Sequence, residues 1–158
     1  MASTLIAIAD AVVTRLTSTW QPVEPNAVTR VYLPDIPDPK DFTEGTQIWV
    51  VPGSFSQTDT ATRAQDRNSF TVFVLFASKF PAETSGEPTA EWMDEQIGIV
   101  EDLWRDITDA RAVPLFPDPL NDVIPGESRM QVLYDEDLLR ENKIFHAGIE
   151  IVYERDEE

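Results

Sequence analysis

The chain has 158 residues and a mass of 17.8 kDa, which fits one domain, and 42% of its residues are hydrophobic, enough for a buried core. Its 29 acidic residues against 12 basic ones give a formal net charge of −17, so unaided binding to nucleic acid or to an anionic membrane is not expected. The absence of cysteine excludes a disulfide framework, a thiolate nucleophile and a cysteine-ligated metal site.

The first predicted element is an amphipathic helix over about Ser3–Ser18, with Ser3 as its N-cap. The stretch has no positively charged start and contains Asp10, so it is interpreted as a helix rather than a signal peptide, in a chain made in the cytosol. Its apolar residues recur at helical spacing: Leu5, Ala9, Val12 and Leu16.

Five short segments are predicted as strands because they are apolar or alternate between apolar and polar residues. The second is expected to end at Pro52-Gly53, Ala112–Gly126 is expected to be irregular, and the acidic tail Arg155–Glu158 is expected to fray. The strands are Val28–Leu33, Gln47–Val51, Phe70–Phe76, Arg129–Tyr134 and Ile144–Tyr153.

A second amphipathic helix is predicted over about Ala90–Thr108, capped by Thr89. Residues 1–158 therefore form one α+β domain, an α/β sandwich. Its sheet of about four to five strands is mainly antiparallel or mixed, and the two helices pack on one face. The second and third strands are expected to pair as one hairpin, and the last two strands as another.

The polar stretch Ser54–Asn68, an arm or loop at about residues 53–68, separates two strongly apolar strands. It is either a long extended hairpin or a mobile loop, and segments of this length are usually functional or disordered. Arg63 and Arg67 are expected to meet acidic residues of a neighbouring subunit, since arginine is favoured at interfaces and pairs with carboxylates. An exposed hairpin without a partner is the alternative.

No motif of an enzyme is present, and no catalytic residue, resident cofactor or metal ligand is predicted. Nothing matches a glycine-rich phosphate loop, and His146, on the polar face of the last strand, is interpreted as a satisfied or surface histidine. Carboxylate clusters are expected by chance among so many acidic residues, although a weak divalent-cation site where subunits meet stays open. The clusters are Asp35/Asp38/Asp41, Asp102/Asp106/Asp109 and Asp135/Glu136/Asp137, of which Asp102 and Asp106 are expected to face solvent.

Three stretches together resemble a known family, the small tail-terminator (tail-completion) proteins of long-tailed bacteriophages. They are VTRVYLPDIPDPKDF followed by TQIWVVPGS, then ATRAQDRNSFTVFVLFASKF, and finally LYDEDLLRENKIFHAGIEIVYE. The central strand of the family usually ends in several basic residues, whereas here Lys79 alone is basic.

The resemblance implies a non-enzymatic virion protein of the tail or neck. Such proteins form a ring, usually a hexamer, that caps the tail tube, stops its polymerisation and joins it to the head connector or stopper, and DNA passes through the channel. The arm and the proline-rich loop Pro34–Gly45 are expected to make the contacts between rings. The candidate interface residues are Asp35, Asp38, Thr62, Arg63 and Arg67.

Three other functions remain open from the sequence. One is another neck or tail component, such as a head–tail stopper or a minor tail protein. A second is an acidic inhibitor or DNA mimic that binds a basic host protein, and a third is a small hydrolase that uses carboxylates.

Overall fold

A computed structural model describes residues 3–19, 28–32, 45–59, 66–79, 89–109, 115–133 and 144–157. Within these ranges the elements follow in the order helix, three strands, helix and two strands, which confirms the predicted α+β class. The elements are α1 Thr4–Thr19, β1 Val28–Arg30, β2 Gly45–Asp59, β3 Asp66–Lys79, α2 Ala90–Thr108, β4 Ile124–Leu133 and β5 Ile144–Glu157.

The five strands form one mixed sheet in the order β1-β2-β3-β5-β4. The β1–β2 pair is parallel and the other pairs are antiparallel, so the predicted pairing of β2 with β3 and of β4 with β5 is confirmed. The strand β3 lies at the centre, as its apolar residues on both faces predict. Because β3 and β4 are both antiparallel to β5, they run in the same direction, and α2 lies between them in the sequence.

The two helices cover the same face of the sheet, which we call the helix face. Burial of each large apolar side chain there contributes about 1.5–3 kcal/mol to folding. The core includes Ile8, Val12 and Leu16 of α1, Val100, Leu103 and Ile107 of α2, and Val72, Val74, Ile149 and Ile151 of the two central strands.

Both helices begin where the sequence predicts. The Ile6 amide donates to Ser3 Oγ at 3.4 Å, and the Trp92 amide donates to Thr89 Oγ1 at 3.2 Å. Each hydroxyl thus accepts from one of the amides that a helix start leaves without an intrahelical partner.

Two strands include residues that the sequence analysis predicts to end a strand or to be irregular. Instead of ending at Pro52-Gly53, β2 continues to Asp59 through a bulge between Pro52 and Ser54. Gly53 permits this bulge because the Phe73 ring lies against its backbone: a Cβ added there would be 2.5 Å from Phe73 Cε2. The strand β4 begins at Ile124, inside the segment expected to be irregular, and has a bulge between Pro125 and Ser128.

The ends of two other strands also differ from prediction. Pairing with β3 continues from Arg155 to Glu157, so the expected fraying of the acidic tail is wrong over these residues. The strand β1 ends at Arg30, earlier than predicted, and Leu33 lies outside the described residues.

Candidate interaction surface

For the polar stretch the sequence predicts either an extended hairpin or a mobile loop, and the hairpin is confirmed at both ends of the stretch. Residues 54–59 of β2 pair in register with residues 66–71 of β3, from Ser54 opposite Thr71 to Asp59 opposite Asp66. We call these two segments the arm. Residues 60–65, with Thr62 and Arg63, lie outside the described part of the chain.

Two phenylalanines face each other across the arm where it joins the core. Phe55 and Phe70 are paired in register, with ring centroids 5.5 Å apart. Phe70 is 4% exposed and belongs to the core on the helix face, whereas Phe55 is 61% exposed. Phe55 is therefore a large apolar side chain that is mostly exposed to solvent at the boundary between the core and the arm.

One long edge of the arm has no strand beside it among the described residues. The strand β1 pairs only with Ile48, Trp49 and Val50, and the Val31 amide donates to the Val50 carbonyl at 3.0 Å. Backbone groups of an antiparallel strand point alternately to its two sides. Because the Val50 carbonyl bonds to Val31, directly after β1, the backbone groups of Val50 point away from β3. The bulge adds one residue and so shifts the alternation by one. After the bulge, the N–H and C=O groups of Phe55 and Gln57 therefore point to the outer edge.

The arm and the residues 60–65 that join its two strands are together without net charge in a strongly acidic chain. No charged residue occurs between Gly45 and Thr58. The whole segment from Val51 to Ser69 contains two aspartates and two arginines, so its formal charge is zero, whereas the chain carries −17. The outer strand of the arm is thus a region that another highly acidic molecule can approach with less repulsion, whereas the inner strand lies beside Glu154, Asp156 and Glu157 of β5.

The structure describes only Arg67 among the five candidate interface residues. Its Nη1 lies 3.6 Å from Glu154 Oε2 of the adjacent strand β5, so Arg67 has a carboxylate partner within its own chain. A contact between Arg67 and a neighbouring subunit stays a prediction. The other candidates, Asp35, Asp38, Thr62 and Arg63, lie outside the described residues.

The opposite edge of the sheet carries an arginine that the sequence analysis did not select. Arg129 is exposed on β4 and borders a shallow depression whose lining includes Glu127 and Glu150. Among the described residues no carboxylate forms an ion pair with Arg129, although Glu150 is its register partner on β5. The other described arginines, Arg15, Arg30, Arg67, Arg105 and Arg155, all have acidic partners.

In the carboxylate cluster on α2, Asp106 takes part in a contact between the two helices. Asp106 was expected to face solvent, but its side chain is 15% exposed and lies 3.6 Å from Arg15 Nη2 of α1. Arg15 also donates to the carbonyl oxygens of Asp106 and Leu115, at 2.7 and 2.9 Å. The expected exposure of Asp102 is confirmed at 80%, and it pairs with Arg105.

Tyr153 extends the same polar network into the core. Its hydroxyl donates to the Ile107 carbonyl at 2.9 Å, and its side chain is fully buried. Burial raises the pKa of Tyr153 well above its ordinary value; Arg15 opposes this increase and Asp106 adds to it. These groups stabilise the end of α2 against α1 and β5, and they face the interior.

His146 is not on the surface, contrary to one reading of its place on the polar face. It is 9% exposed and stands in register with Ala77 of β3, on the side of the sheet opposite the helices. A second apolar cluster of Trp49, Ala77 and Ile144 lies on that side, which explains why alternation along β5 does not lead to solvent there.

The described residues contain no group of three or more His, Cys, Asp or Glu side chains placed to hold a metal ion. The clusters at residues 35–41 and 135–137 fall outside them. No described helix is long and apolar enough to cross a membrane.

Comparisons with known proteins do not assign a family. No protein-family model matches the chain, and no curated protein matches it at a significant level.

Proposed function

We propose that this protein is a bacteriophage structural protein that forms a ring, expected to be a hexamer, on the end of the tail tube. The ring stops tube polymerisation, docks to the head connector or stopper, and leaves a channel through which DNA passes without specific binding. The chain is made in the host cytoplasm and functions in the tail or neck of the virion, as a non-enzymatic protein without a cofactor.

The observation that carries this proposal is that residues 51–71, which contain the arm, are without net charge on a highly acidic chain. Subunits of charge −17 repel one another, and assembly favours contacts through regions without net charge. The arm combines such a region with the exposed ring of Phe55 and a strand edge that pairs with none of the described residues. An interaction protein needs these features, whereas a monomeric enzyme does not.

The remaining charge supports the same function. Apart from neutral contact regions, the surface of such a subunit is acidic, so a channel lined by its copies repels the phosphate backbone. DNA can therefore move through the ring without being held. The resemblance of the three sequence stretches to tail terminators agrees with this role.

The direct test is to add the purified protein to tail-tube protein during polymerisation. We expect rings of about six subunits by light scattering and negative-stain microscopy, and tubes that stop elongating once a ring caps their end. Arg63→Glu should weaken ring assembly by introducing a like charge. Arg105→Glu is the matched control, because Arg105 is exposed on α2 and makes only local ion pairs.

Other outcomes identify the alternatives. Rings that bind the head connector but leave tube growth unchanged would indicate a stopper or another neck protein. A monomer that binds one basic host protein tightly, and no tube, would indicate an acidic inhibitor or DNA mimic.

A further inference from the structure

We infer that the outer edge of the arm is a strand-addition site for a second copy of this chain, and that it pairs with the outer edge of β4 in that copy. The inference rests on the proposed ring and specifies which surfaces join its subunits. It makes the sheet of one subunit continuous with that of the next.

Past its bulge the arm has a regular outer edge, beside which no described strand lies. Past the bulge at Pro52–Ser54, the residues Ser54–Thr58 include no proline and no charged residue. Natural edge strands usually carry lysine, proline or a bulge to prevent pairing with other chains. An edge without these devices, whose outward N–H and C=O groups belong to Phe55 and Gln57, is suited to accept a strand.

The strand β4 is the last strand on the other side of the described sheet. The backbone groups of Val50 point away from β3, so those of its neighbour Trp49 point toward β3 and bond to its register partner Leu75. The same alternation through β5 directs the backbone of Arg129 toward Glu150. The groups of Ser128, Met130 and Val132 therefore point outward, where no described residue pairs with them.

The bulge of β4 restricts the position at which a strand can be added. Pro125 and the bulge that ends at Ser128 disrupt the start of this edge, which leaves the stretch from Ser128 to Leu133 regular. The arm from Ser54 to Asp59 has the same length. A strand added to β4 would therefore lie beside its second half.

Charge favours a second copy as the occupant. Strand β4 contains one glutamate and one arginine, Glu127 and Arg129, so both edges are without net charge in a chain of −17. Two copies that meet through these edges bring no net charge of the paired strand segments into direct contact. Arg129, which has no ion pair with a described carboxylate, remains available to an acidic residue of the neighbour.

A ring also requires this type of contact. A closed cyclic assembly of more than two subunits uses two different surfaces of each subunit, one from either side of the interface. The outer edges of the arm and of β4 lie toward opposite ends of the strand order. An arm-to-arm contact would use one surface twice and would stop at a dimer.

Cysteine cross-linking tests which edges meet, because the chain has no cysteine of its own. Ser54→Cys and Glu127→Cys place thiols at two exposed positions, one on each edge. With a flexible bismaleimide, we expect covalent dimers when the two variants are mixed and none with either variant alone. Dimers from Ser54→Cys alone, or no cross-link in samples that contain rings, would overturn the inference.

A backbone substitution tests the pairing itself. Gln57→Pro removes an outward N–H but no bond to β3, and should weaken assembly by about tenfold or more while the thermal midpoint of the monomer changes little. Gln57→Ala keeps the N–H and should assemble like the wild type. Rings of normal stability with Gln57→Pro would contradict the inference and leave the proposed function standing.

Two further results separate the inference from the proposed function. Wild-type chains that stay monomeric up to about 1 mM would show no useful affinity for a second copy and would overturn the inference, whether or not single chains cap a tube. Rings that fail with Gln57→Pro but never arrest tube growth would support the inference and contradict the tail-terminator function.

Discussion

The body of the molecule, by which we mean α1, α2 and the part of the sheet that they cover, differs from the arm in how its polar groups are paired. In the body, Arg15 donates to two carbonyl oxygens and Tyr153 donates to a third, so these three carbonyl groups have partners within the chain. In the arm, the outer backbone groups and the Phe55 ring have no such cover among the described residues. Stability and assembly are therefore expected to depend on different residues, and substitutions can separate them.

The largest expected loss of stability follows from Arg15→Met, which keeps a stem of similar shape but removes every donor. It leaves the carbonyl oxygens of Asp106 and Leu115 and the Asp106 carboxylate without this partner, and should lower the free energy of unfolding by about 3 kcal/mol. Urea denaturation followed by circular dichroism measures the loss. Arg105→Met, at an exposed surface ion pair, should cost less than about 0.5 kcal/mol. Equal losses from both would contradict the role given to Arg15.

A smaller effect is expected from Gly53→Ala at the bulge where the body meets the arm. The new Cβ would lie 2.5 Å from the Phe73 ring and 2.9 Å from the Thr71 carbonyl, and the displacement should destabilise the fold by about 2 kcal/mol. Gly98→Ala is the control, because nothing lies within 4 Å of an added Cβ there. In a helix this change should stabilise by up to about 1 kcal/mol. Thermal denaturation of both variants should thus give shifts of opposite sign.

Tyr153→Phe should lower the free energy of unfolding by about 1 kcal/mol near pH 7, since it removes one buried hydrogen bond. Its pH dependence is more specific. The pKa of Tyr153 is raised in the folded state, so the tyrosine of the unfolded chain ionises first, near pH 10. The stabilisation is complete below that pH and is lost above it, by up to about 1.4 kcal/mol per pH unit. Urea titrations between pH 8 and 11 should show a steeper loss for the wild type than for the variant; parallel curves would argue against the buried hydroxyl.

The sequence predicts the body far better than the arm. The 3.6-residue spacing places α2 at Ala90–Thr108 because a helix that packs one face must repeat its apolar side chains at that period. The continuation of β2 through Pro52-Gly53 could not be predicted this way, because it depends on Phe73 packing against the glycine from another strand. The feature that supports the proposed assembly surface, the unbroken absence of charge from Gly45 to Thr58, is nonetheless visible in the sequence.

The smallest expected effect on stability, and the largest on assembly, comes from Phe55→Ser. The side chain is 61% exposed and touches the core mainly through Phe70, so the free energy of unfolding should fall by no more than about 0.5–1 kcal/mol. If Phe55 packs against a second copy beside the added strand, its loss should weaken ring assembly by at least about tenfold, as is usual for an aromatic residue at the centre of an interface. Light scattering over a dilution series measures assembly, and Phe55→Leu, which keeps an apolar side chain, should retain most of it. A Phe55→Ser protein that unfolds readily but assembles normally would reverse the comparison, because it would place Phe55 in the body and leave the arm without a role at the interface.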